Sequence, residues 1–161
     1  ISSETAHITF THIQSKVAAD KIKQREAEEL RQLVESHETL ITDFIDSYRY
    51  AFEDALNYVD FDYIADYFPT GSQVQADYIG EIERHGELNV SYYYDFQSNT
   101  VTGFKAIDKN TFLVNTAEMF NFSSDGEEFR YNKTKDYTVI LQGDRYYIKD
   151  IKVTNSEFVE L

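Results

Sequence analysis

A chain of 161 residues with 42% apolar side chains can close one hydrophobic core, and its 16% aromatic content excludes a disordered segment. The formal charge is −14, and between Arg49 and Lys105 the one basic residue is Arg84 against ten acids, so a nucleic-acid duplex or an anionic lipid surface would be repelled. There is no cysteine, which excludes disulfides, thiolate metal sites and cysteine nucleophiles.

The plainest role of the acids is to keep the domain in solution. One proline and six glycines leave little room for linkers. No apolar run approaches the ~18 residues that cross a bilayer. A chain that opens on Ile1 is expected to be a piece of a longer protein, with any membrane attachment through a segment outside it.

In chain order, "ISSETAHITFTHIQS" alternates Ile8 and Phe10 against Thr9 and Thr11, which predicts a short strand. From Val17 a helical period takes over and runs through Leu30, Leu33, Leu40/Ile41, Phe44/Ile45, Tyr48, Phe52 and Leu56. One helix from Val17 to Tyr58 would be about 60 Å long, beyond a small domain's diameter. Ser36 can cap a new helix. The expectation is therefore a polar leading helix to about Glu35 and a core helix from about His37, with a continuous rod as the rival. Residues 1–36 then form a strand and connecting helix, and residues 37–161 the domain proper.

In "VDFDYIADYFP", Asp60 caps a short second helix that buries Phe61, Ile64, Ala65 and Phe68 and stops at Pro69. A third helix, "SQVQADYIGEIERHG", buries Val74, Tyr78 (or Ile79) and Ile82 and ends at Gly86 as C-cap. After Gly86 the period becomes two. Val90, Tyr92, Tyr94 and Phe96 share one face; Phe112, Val114, Thr116, Glu118, Phe120 and Phe122 share another. "DKN", "SSDG" and "QGD" supply turns. In "GDRYYIKDIKV" strict alternation puts Tyr146, Ile148 and Asp150 on one face and Tyr147, Ile151 and Val153 on the other. Helices first and hairpin strands after give an α+β fold: three helices and a curled antiparallel sheet forming a cone.

Candidate chemistry is sparse. Glu118 and Asp150, if both line the cone, could place two carboxyls in one apolar cavity with general-base potential. The plainer reading is an acid at the cone mouth bonded to a tyrosine or to backbone. Tyr48, Tyr92, Tyr94 and Tyr146 complete the candidate cavity-lining set. Asp60, Asp62 and Asp66 suggest calcium, but the loop lacks the central Gly and distal Glu, and acids in a first helical turn already answer to the helix dipole. His7, His12, His37 and His85 have no ligand spacing, and no catalytic or phosphate-binding motif appears. Neither a metal nor a cofactor is expected. "SYYYDF" could serve as a carbohydrate or peptide platform, although ordinary sheet packing explains it first.

The order "ETLITDFIDSYRYAFEDALNYVDFDYIADYF", a further helix, then a hairpin sheet ending in "GDRYYIKDIKV" resembles the nuclear transport factor 2-like superfamily, whose members commonly end in an aromatic–x–Ile–x–Asp strand, here Tyr146, Ile148 and Asp150. "FIDSYRYAFEDALNYVDFDYIADYF" and the acidic, Tyr-rich character resemble, more narrowly, the C-terminal domain of the TcaA family. The resemblance implies an extracytoplasmic, non-enzymatic binding domain of a membrane-anchored Gram-positive cell-envelope protein tied to glycopeptide antibiotic response. Its partner would be a cell-wall component, a peptide or a protein, and the outer sheet face is a candidate homodimer surface. The alternative is a small-molecule enzyme or carrier using the cone cavity, as ketosteroid isomerase does on this superfold.

Overall fold

The computed structural model describes residues 3–161 and opens on one α-helix, α1, from Ser3 to Tyr58. At 1.5 Å per residue its 56 residues span about 84 Å. Neither the expected strand at Ile8–Phe10 nor the break at Ser36 occurs. Ile8 and Phe10 are 68% and 59% exposed, so no partner strand rewards extension, and the helix simply propagates through them. Ser36 Oγ donates to the Gln32 carbonyl at 2.9 Å, the mid-helix back-bond that competes with capping. Residues 1 and 2 of the expected leading segment lie outside the described residues.

The two halves of α1 live in different environments. Residues 8–29 are exposed; Leu30, Leu33 and Val34 make the first contacts with the core. From Ile41 a buried stripe of Ile41, Ile45, Tyr48, Phe52 and Leu56 runs along one face. The helix ends where Val59 turns left-handed at φ 52° and the Asp60 N–H reaches back to the Ala55 carbonyl, a Schellman closure.

Asp60 then caps a turn, its Oδ1 accepting the Asp62 N–H at 2.9 Å. In place of the expected second α-helix the chain makes two 3₁₀ turns, Phe61–Tyr63 and Ala65–Tyr67, closed by i→i+3 bonds from Ile64 to Phe61 and from Phe68 to Ala65. The segment before Pro69 is too short to propagate a helix, yet it still buries Ile64 and Phe68. The fold therefore has two α-helices. The second, α2, runs from Gln73 to Gly86, is capped by Ser72 and buries Val74 and Ile82. Gly86 stays inside this helix, and Glu87 forms the cap. Its lack of a side chain matters because a Cβ there would sit 2.7 Å from Val59 Cγ1.

Four antiparallel strands complete the chain as a meander in sequence order: β1 (Tyr92–Asp108), β2 (Thr111–Ser124), β3 (Glu127–Gln142) and β4 (Arg145–Glu160). The β2–β3 turn has Asp125 and Gly126 both at positive φ, the mirror-image turn whose twist suits a hairpin. The β2 face of Phe112, Val114, Thr116, Glu118 and Phe120 is buried throughout, against α1 and its neighbours. On β1, register shifts between Phe96 and Ser98, Val101 and Gly103, and Ala106 and Asp108 interrupt the two-residue period; each bulge bends the strand. Together the bulges curl the sheet around the C-terminal half of α1.

The same device corrects the reading of β4. Ile148 pairs with Val139 and Asp150 with Thr138, so Lys149 is the extra residue of a bulge. Beyond it the faces exchange: Ile151, opposite buried Tyr137, joins Ile148 on the inner face, and Asp150 lies exposed on the outer one. Strict alternation placed Ile148 correctly but put Asp150 beside it and Ile151 on the opposite face. The same register sets Val153 opposite buried Lys135, and a second shift follows it with Thr154 as the extra residue.

The packing of α1 divides the leading residues at Leu30. Removing the chain up to residue 29 is expected to leave the cooperative thermal melt essentially unmoved, whereas removing it through residue 36 takes away Leu30, Leu33 and Val34, bares the core surface they cover and lowers the midpoint by several degrees. A large fall from the shorter deletion would show that the exposed half of α1 supports the domain.

Candidate functional site

Three charged side chains meet inside the fold. The α1 stripe places Arg49 one turn beyond Ile45, the β2 alternation turns Glu118 inward, and the β3 alternation through Tyr131, Lys133, Lys135, Tyr137 and Val139 brings Lys135 beside it. Glu118 Oε2 contacts Arg49 Nε, and Glu118 Oε1 lies 2.7 Å from Lys135 Nζ. The residues are 4%, 3% and 5% exposed in the order Arg49, Glu118, Lys135. Two cations against one carboxylate leave an excess positive charge among buried side chains. Phe52 offers its ring to both cations, at 5.6 Å from Arg49 and 5.8 Å from Lys135, and Phe96 takes Arg49 at 5.1 Å.

Burial pushes the Lys135 amine down to about 8, with Arg49 repelling its proton and Glu118 opposing the fall. Burial also holds the Tyr48 and Tyr137 hydroxyls well above the usual phenol range. Both hydroxyls, and Arg49 Nη1, are buried with no hydrogen-bond partner among the described residues.

A cavity of about 270 Å³ opens over this cluster. Arg49, Glu118 and Lys135 form its floor, and Phe52, Leu56, Tyr78 and His85 form its helical wall. The sheet contributes an aromatic wall. Tyr94 packs on Phe122 at 4.8 Å, Phe120 stacks on Tyr131 at 5.1 Å, and Lys133 Nζ lies 5.4 Å from the Phe120 ring centre. Glu53 and Glu81 stand at the less buried margin, where Glu53 accepts the Phe96 N–H at 2.7 Å.

His85 is fixed at both nitrogens. The Glu81 carbonyl, 2.8 Å from Nδ1, can only accept, so Nδ1 carries hydrogen; in the neutral ring Nε2 then accepts from the Tyr94 hydroxyl at 2.6 Å. Asn57 holds the wall in place, donating to the Tyr94 carbonyl and accepting the Tyr94 N–H, each at 2.8 Å.

Of the six residues expected to line a cavity, Tyr94 and Glu118 do so here. Tyr48 is wholly buried in the core, and Tyr92 donates to the Leu56 carbonyl at 2.8 Å at the end of α1. Tyr146 sits toward the other end of the fold, where its hydroxyl meets His37 Nδ1 at 2.5 Å and its ring packs on Phe44. Asp150 faces outward across the bulge, so the two-carboxylate arrangement does not form. Sequence reasoning missed Arg49, Lys133, Lys135 and His85. The signal was present: two lysines alternate with tyrosines on the apolar face of "YNKTKDYTV", and Arg49 follows Ile41 and Ile45 at helical spacing. Among the described residues no His, Asp and Glu side chains gather as metal ligands.

The cluster makes an asymmetric prediction. Glu118→Gln leaves two buried cations without their counter-charge and should cost about 3–5 kcal/mol, whereas Lys135→Met leaves a neutral Arg49–Glu118 pair and should cost less than about 1 kcal/mol or stabilise. In the parent chain the unfolded Lys135 holds its proton up to its ordinary range while the folded one releases it near 8, so stability should rise with pH from about 8 towards 10. Above that, the buried tyrosines reverse the trend, because the unfolded phenols ionise first. Urea midpoints across this range should show the rise in the parent and its absence in Lys135→Met. A rise that persists in the variant would remove Lys135 as its source.

In solved structures the fold recurs. The chain is similar to the intermembrane space region of the chloroplast protein ARC6, with a TM-score of 0.62 at 10% identity over 71% of this chain and 94% of that one. It is similar also to a protein of Novosphingobium aromaticivorans provisionally described as a scytalone dehydratase, with a TM-score of 0.55 at 11% identity over 76% of this chain and 89% of the other. At such identities the likeness is one of fold. No curated protein matches the chain in sequence. The TcaA protein NTF2-like domain matches residues 37–152, which take in α1 from His37, α2, the first three strands and the first half of β4, and the chain belongs to that family.

Proposed function

We propose that this chain is a non-enzymatic, extracytoplasmic binding domain of a membrane-anchored protein of the bacterial cell envelope, and that the cavity over Arg49, Glu118 and Lys135 receives the end group of a cell-wall component. One observation carries the reading. The Glu118 carboxylate at the cavity floor has each oxygen paired with a buried cation, so its charge is engaged in holding Arg49 and Lys135 together rather than turned to a substrate. The surrounding wall is aromatic and pre-formed, which suits holding a ligand. Family membership supports a membrane-associated setting, and the envelope location and the tie to glycopeptide antibiotic response are part of the proposal. Among the described residues no helix is long and apolar enough to cross a membrane, so the proposed anchor belongs to another part of the parent protein.

The rival reading is a small-molecule enzyme or carrier. It draws on the His85–Tyr94 pair in the cavity wall, whose groups could exchange a proton, and on the dehydratase-like neighbour in fold. A nuclear magnetic resonance titration with soluble muropeptides, followed by mass spectrometry of the recovered fragments, separates the two. The binding role predicts saturable shifts at Tyr94, Phe122 and Tyr131 and fragments recovered unchanged. Conversion of the fragments with turnover, or no shift at the cavity in the millimolar range, would contradict it.

A further inference from the structure

We infer that the cavity selects a monocarboxylate carried on an apolar, ring-bearing body, the carboxylate seated over Arg49 and Lys135 and the ring against the Tyr94, Phe122 and Tyr131 wall. The inference rests on the reading of this cavity as a binding site and adds the chemistry of what enters it.

Charge sets the first condition. The floor holds two cations and one carboxylate, all within 5% of full burial. A buried excess charge is costly unless something compensates it. Arg49 lines the cavity, and its Nη1 is buried without a partner among the described residues. Buried donors are nearly always satisfied in folded proteins, so a small shift of the Arg49 guanidinium toward an entering acceptor would satisfy a donor that is now enclosed. One negative charge balances the floor; a dianion would overshoot it.

The margin says what kind of anion. Glu53 and Glu81 stand there in a more hydrated setting, and the whole chain carries −14. Both repel a bare anion approaching from bulk, so a chloride or phosphate gains little. A ligand must bring apolar surface enough to offset that repulsion. The sheet wall provides the place for it, and Lys133, lying over the Phe120 and Tyr131 rings, adds a cation on the route to the floor. The volume, about 270 Å³, lies just below the usual ~300–1,000 Å³ of ligand cavities, which fits a small molecule or the end group of a larger one.

The test uses 2-naphthoate, its neutral isostere 2-naphthamide, and acetate, titrated calorimetrically into the whole chain. The acid should bind about tenfold or more tightly than the amide, a preference set by the carboxylate alone, and acetate should not bind measurably. Lys135→Met, which removes the excess charge of the floor and keeps Arg49, should shrink the advantage of the acid over the amide severalfold. Equal affinity for acid and amide would overturn the inference and leave the cavity a binding site of other specificity. Failure of both naphthyl probes to bind would overturn it together with the ring-binding role of the wall. The acid–amide comparison on the parent chain decides the matter even if the variant does not fold.

Discussion

The contact on which the structure turns is the buried meeting of Arg49, Glu118 and Lys135. It joins the long helix to the second and third strands at one point, and each partner comes from a different element. Desolvating three charges offsets much of their mutual attraction, so the cluster is a poor source of stability. It is a strong source of register. A one-residue slip of β2 against β3 would turn Glu118 to the outer face and leave Arg49 buried without its counter-charge. A rotation of α1 would do the same from the other side. Around it, Phe52 and Phe96 face the cations, so the aromatic core begins where the charges end.

Bulges give the sheet its use. Three shifts in β1 and two in β4 curl an otherwise long meander until its inner face closes on α1. Where the C-terminal end of α1 gives out near Leu56, α2 and the aromatic ends of the strands continue, and the gap between them is the cavity. The inner face is thereby divided. Toward Phe112, Val139 and Ile148 it is packed solid by Ile41 and Ile45; toward Phe122 and Tyr131 it is open. The outer face has a different character, mixing half-buried Leu113 and Ile140 with Asn115 and Asp136, which hydrogen-bond each other at 2.6 Å.

The sequence was readable where one rule governed a whole element. The β2 pattern from Phe112 to Phe122 has no bulge on its own strand, and its inward set could be named in full. The helical stripe from Ile41 to Leu56 and the Asp125–Gly126 turn were legible for the same reason. Reading failed where a single residue reversed a pattern. Lys149 exchanges the faces of β4, and nothing in "YYIKDIKV" distinguishes a bulged lysine from a paired one. Ser36 is as good a cap as a back-bonder, and only its surroundings chose. The cation pair was missed because long charged side chains ordinarily reach solvent even from an inward register. Their partner, Glu118, was noticed for its own odd position. The aromatic wall was visible as "SYYYDF" but needed the curl to bring Tyr131 across from Tyr94.

The ion cluster thus serves register and the cavity rather than stability. The most direct test replaces all three members at once, Arg49→Met, Glu118→Leu and Lys135→Met, and measures the urea midpoint alongside binding of an aromatic carboxylate. The predicted result is a folded chain whose stability is unchanged or higher by about 1–4 kcal/mol, as apolar replacement of buried ion groups allows, with the preference for a carboxylate over its amide lost. A triple variant that is several kcal/mol less stable, or that still prefers the acid, would contradict it.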